Sequence, residues 1–79
     1  MKHAREDYNR IQDPEGKIPE DEPVFILRGQ DVFAPNIVRA WIREMRYANA
    51  DPKMIEKVEK LAEDMEDWQR NVKCKLPDL

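Results

Sequence analysis

The sequence predicts a small α+β domain, mainly α: an irregular N-terminal arm and one short strand, followed by an antiparallel two-helix hairpin. Three observations carry this. Half of the six prolines and many charges crowd residues 1–23 without apolar periodicity. Val24-Phe25-Ile26-Leu27 is an unbroken apolar run of β-branched and aromatic residues. From Pro35 onward, apolar residues recur at three- and four-residue steps, the period of a helix with one apolar face. At 79 residues the chain is a single domain, 1–79, and a chain of this size buries only about 60–65% of its unfolded surface.

The arm, 1–23, is expected to hold local structure. Tyr8 and Ile11 have the spacing of one helical turn that anchors it. Asp13-Pro14-Glu15-Gly16 has proline at the second turn position and glycine at the fourth, as a tight turn prefers. Pro19 and Pro23 favour extended backbone before them. The strand, 24–28, lacks alternation, as expected when both faces are covered. Its buried amides need a partner, either part of the arm, Lys17-Ile18 for instance, or the same strand of another subunit. Gly29 then permits a sharp turn.

Helix 1 is expected over 35–49, with Pro35 at the favoured first position and Phe33, Ile37, Val38, Trp41, Met45 and Ala48 as its core stripe. Asn49-Ala50-Asp51-Pro52 ends this helix and starts the next, with Asp51 as N-cap and Pro52 as first helical residue. Helix 2 follows over 52–71, its stripe being Ile55, Val58, Leu61, Ala62, Met65 and Trp68, and 72–79 is a tail. So short a connection makes the helices antiparallel. Arg39, Arg43 and Arg46 oppose Glu59, Glu63, Asp64, Glu66 and Asp67, which reads as a solvated, cross-paired surface; the sharper alternative makes the arginine ladder an anion contact.

Composition removes several function classes. With 14 basic and 17 acidic residues the net charge is −3, which argues against a broad nucleic-acid surface. No apolar run approaches the ~20 residues that cross a bilayer, and MKHAREDYNR is not a signal peptide, so no membrane association and a cytoplasmic location are expected. One cysteine and one histidine make neither an internal disulfide nor a zinc set, and no cofactor is implied. Self-association is the remaining way to enlarge a small core, so a homo-oligomer is expected. The chain has no serine or threonine and only two glycines, which excludes hydroxyl nucleophiles and phosphate-binding glycine loops. Glu20, Asp21 and Glu22 are neighbours in an extended segment and point opposite ways, so they form a solvated collar rather than an acid/base pair. Cys74 lies among lysines with no base nearby in sequence. No enzyme is read here.

What remains unexplained is a group of polar residues around the strand. Arg10, Arg28 and Gln30 have the chemistry to grip phosphate or ribose, Tyr8 to stack on a base, and Asn9 or Asp31 to read a base edge. Trp41 and Trp68, on the apolar stripes, are assigned to core or a subunit interface.

The stretches DYNRIQDP (7–14) and IPEDEPVFILRGQD (18–31) resemble a group of small proteins encoded by tailed phages and prophages, closely over these residues and only in pattern over the hairpin. The resemblance implies context: a phage accessory protein in the host cytoplasm, where such proteins often counter host defence. Two expectations follow. One is a binder that sequesters a small anionic, nucleotide-derived ligand without chemistry. The other is an interaction module that inhibits or adapts a host enzyme through its hairpin.

Overall fold

A computed structural model describes residues 2–8 and 13–78. The chain is mainly helical: two packed helices follow an irregular region that holds a short two-stranded sheet. The second half follows its sequence signals closely. Helix α2 runs Pro52–Asn71, and the Asp51 side chain accepts from the Lys53 amide at 2.9 Å, satisfying one of the free donors at the helix start. Helix α1 runs Ala34–Tyr47, slightly shorter than the expected 35–49, because Asn49 adopts a left-handed conformation (φ 56°). The Asn49 amide bonds to the Arg46 carbonyl at 3.1 Å and the Ala50 amide to the Met45 carbonyl at 2.9 Å, a Schellman closure that turns the chain into α2.

The core is a narrow seam between the helices: Ala34, Val38 and Ile42 from α1 against Ala62 and Met65 from α2, with Leu27, Ile55 and Val58 packed around it. This corrects the expected stripe on α1. Phe33, Ile37 and Trp41 are about half exposed and Ala48 is exposed, while Ile42 is 2% exposed. Leu61 and Trp68 of α2 are likewise about half exposed. Two helices meet along one line, and the completely covered Ala34 and Ala62 let them approach closely, so Val38, Ile42 and Met65 fill the seam between them while Phe33, Trp41 and Trp68 flank it. Arg39 joins Glu66 at 2.6 Å and Arg46 joins Glu59 across the helices, as expected of a cross-paired surface.

The strand differs from expectation. Strand β2 is Pro23–Val24, not 24–28; its partner does lie in the arm, but it is β1, Lys2–His3, paired in parallel, and not Lys17-Ile18. Lys17 and Ile18 are held elsewhere: their amides donate to the Asp13 carboxylate at 3.1 and 3.0 Å, around a turn closed by the Gly16 amide and the Asp13 carbonyl. Gly16 sits at φ 63°, the left-handed region where glycine carries no penalty. Residues 25–28 are not covered on both sides, since Phe25 is 72% exposed. The expected anchor of Tyr8 with Ile11 falls partly outside the described residues; Glu6–Tyr8 form a single 3-10 turn.

Candidate functional site

Three segments distant in sequence enclose a cleft of about 330 Å³: the 3–8 stretch, residues 25–31, and the tail at 75–78. The turn at 28–31 is closed by the Asp31 amide bonding to the Arg28 carbonyl at 3.0 Å. Gln69 of α2 fixes it from below, its Nε2 donating to the Gly29 carbonyl at 3.0 Å and the Asp31 carbonyl at 2.7 Å. The segment 72–79, expected as a tail, is tied in at Lys75. Its amide donates to the Gln30 carbonyl at 2.9 Å, and its carbonyl accepts from the Val32 amide at 3.0 Å.

Tyr8, Arg28, Gln30 and Asp31 all line this cleft. Asn9 and Arg10 lie outside the described residues. One oxygen of Asp31 is already engaged, accepting from the Phe33 amide at 2.8 Å ahead of α1, so this carboxylate is in part a backbone anchor. The cleft also contains His3, Arg5, Phe25, Lys75 and Asp78, which carry no binding signal in the sequence. His3 arrives through the β1–β2 pairing and Lys75 through its bridge to Asp31. Both are long-range backbone pairings without a local sequence signal. Phe25 is legible as an aromatic, but its apolar run reads as a covered strand.

The cations differ in how far they are engaged. Arg5 is held by a two-point contact to Asp7, Nε to Oδ1 at 3.0 Å and Nη2 to Oδ2 at 2.7 Å, and donates from Nη1 to the Asp78 carbonyl at 3.0 Å. Its guanidinium lies 4.8 Å from the centre of the Tyr8 ring, a cation–π contact. The hydrogen-bonded Arg5 holds the Asp7 carboxyl below its ordinary value, with Arg28 adding a smaller push in the same direction. Lys75 contacts Asp78 at 3.0 Å and lowers that carboxyl too. Among the described residues Arg28 makes no ion pair and is exposed. His3 is the other open group: both ring nitrogens are shielded from solvent and neither has a hydrogen-bond partner among the described residues.

The arrangement offers positive charge from Arg28, aromatic faces from Tyr8 and Phe25, and mixed donors and acceptors from Gln30 and Asp31. Among the described residues no cluster of three His, Cys, Asp or Glu side chains could hold a metal, and no helix is long and apolar enough to cross a membrane. Cys74 is exposed, its sulfur 3.6 Å from the Gln69 Oε1. Comparison with protein-family models, with curated proteins and with solved structures gives no match for this chain.

Proposed function

We propose that the chain binds and sequesters a small anionic ligand carrying an aromatic base, without chemistry, in the cleft between the arm, the 28–31 turn and the 75–78 segment. One observation carries the reading. Tyr8, Arg28, Gln30 and Asp31, chosen for their chemistry and separated by up to 23 residues, line one cleft whose volume suits a nucleotide-sized molecule. Arg28 takes the phosphate, a charge-assisted contact for which the guanidinium is well shaped. Tyr8, steadied by Arg5 on its ring, or the exposed Phe25 stacks on the base. The resemblance of 7–14 and 18–31 to phage proteins supports reading this as sequestration in a host cytoplasm, as a counter to a nucleotide-derived defence signal.

Calorimetric titration against cyclic dinucleotides, cyclic oligonucleotides and ADP-ribose derivatives tests the proposal. Binding by one class, with the ligand recovered unchanged, is expected. Arg28→Ala should weaken it by on the order of a hundredfold, since a charged contact that loses its partner costs about 2–5 kcal/mol. Absence of binding across the panel, or binding indifferent to Arg28→Ala and Tyr8→Ala, refutes the assignment. Recovery of a converted product would make the protein an enzyme.

A further inference from the structure

The hairpin has a side bridged by ion pairs and a side of half-exposed apolar residues, whose Trp68 end carries the chain's own Gly29 and leaves the rest open. Arg39–Glu66 and Arg46–Glu59 bridge the helices on one side. About the buried line Ala34, Val38, Ile42, the helical repeat puts Ile37 and Trp41 on the flank opposite those arginines. About Ala62, it puts Met54, Leu61 and Trp68 on the flank opposite Glu59 and Glu66. In an antiparallel pair, both apolar flanks therefore share the other side. The exposed fractions are 48% and 44% for Ile37 and Trp41, and 45%, 47% and 51% for Met54, Leu61 and Trp68, with Phe33 at 50% beside the first pair. Half of six large side chains amounts to on the order of 500 Å² of apolar surface. A standard interface takes about 800 Å² per partner, so this side alone supplies more than half of one.

The core makes the need explicit. Among the described residues six are buried, Ala34, Pro35, Val38, Ile42, Ala62 and Met65, all on the two helices, and no large side chain is completely covered. That is little for a chain with one free cysteine.

The charges at the rim point to what covers this side. Glu44 borders it on α1, seven residues before Asp51, and Lys57 borders it on α2, six residues after Asp51. Both are exposed, and neither is in an ion pair among the described residues. They stand at nearly the same level above the turn, on opposite edges, with opposite signs. A two-fold axis lying in the contact plane and parallel to the helices sets α1 of each copy over α2 of the other. Glu44 of each copy then meets Lys57 of the other. We infer that the open side is the interface with a second copy of this chain, giving an isologous dimer with two Glu44–Lys57 pairs at its rim.

Sedimentation equilibrium of the full chain should show a reversible species of twice the 9.4 kDa chain mass, with a micromolar dissociation constant. Trp41→Glu should raise that constant by at least about tenfold while helix content by circular dichroism holds, because Trp41 lies outside the seam. Glu44→Lys and Lys57→Glu should each weaken the dimer about fivefold, and the double exchange should restore it to within about twofold. A monomer at all concentrations up to about 100 µM overturns the inference. So does a dimer that ignores Trp41→Glu, or one weakened further by the double exchange.

Discussion

Replacing Gln69 with methionine keeps the length of the side chain but removes both ends of its amide. In the folded chain the Nε2 group donates to two carbonyls of the 28–31 turn, at Gly29 and Asp31, and two acceptors there fix which end of the amide faces the turn. The losses are unequal. The Asp31 carbonyl keeps the Ala34 amide at 2.9 Å, whereas the Gly29 carbonyl has no other bond among the described contacts. A half-buried carbonyl left without a partner costs about 1–2 kcal/mol, and the lost second bond to Asp31 adds a few tenths. The expected destabilisation of Gln69→Met is therefore about 1–2 kcal/mol, which for a domain of this size lowers the melting temperature by roughly 5–15 °C. Gln69→Glu should be worse, because it turns a carboxylate toward two carbonyl oxygens. Urea denaturation followed by tryptophan fluorescence gives the difference, with an unchanged slope showing that the unfolded state is the same. Both variants should also weaken ligand binding, since this turn carries Arg28, Gln30 and Asp31. A Gln69→Met protein within about 0.3 kcal/mol of the parent would refute the reasoning, and so would a Gln69→Glu protein more stable than the methionine variant.

Other outcomes follow from the same geometry. Ile42→Ala should cost about 2–4 kcal/mol because the side chain sits in the seam, whereas Trp41→Ala should cost less in dilute monomer; thermal melts at low concentration compare the two. Asn49→Gly should be neutral or stabilising, and Asn49→Ala destabilising by about 1 kcal/mol, since only the glycine accepts the left-handed backbone freely. Asp7, Asp78 and Glu66 are all held below their ordinary values by Arg5, Lys75 and Arg39 respectively. A depressed carboxyl stabilises the fold above its unfolded value and loses that contribution as pH falls through its folded value. The melting temperature should thus stay level from pH 8 to about 5 and fall below about 4. A rise in melting temperature on acidification would contradict these pairings.

Sequence was most informative where structure is local. Asp51-Pro52 located the start of α2, and Asp13-Pro14-Glu15-Gly16 located a turn, because each is closed by bonds reaching only a few residues along the chain. The buried face of α1 was less legible, for a physical reason. Val38 is core as expected, but Phe33, Ile37 and Trp41 form one apolar line and Ala34, Val38 and Ile42 the adjacent one, and side-chain size favours the first. Packing chose the second, because Ala34 and Ala62 permit the closer approach. At the cleft, the residues flanking 24–28 were visible by their chemistry. His3, Arg5 and Lys75 were not, since parallel pairings between distant segments carry no periodicity of their own.

The bond from Arg5 to the Asp78 carbonyl closes a loop of 73 residues, and the β1–β2 and Asp31–Lys75 pairings close long loops as well. The hairpin is built from neighbours in sequence and can form on a microsecond scale, before any of these closures contributes. The cleft is then the last part of the molecule to assemble and the first to open, and its walls part without the helices melting. Amide hydrogens at Lys2, Val32 and Lys75 should exchange through this local opening, well ahead of those in α1 and α2. A ligand seated across the three segments would slow their exchange by the factor 1 + [L]/Kd while leaving the helical amides untouched. Occupancy of the cleft would thus be recorded in the lifetime of the closure between the two ends of the chain.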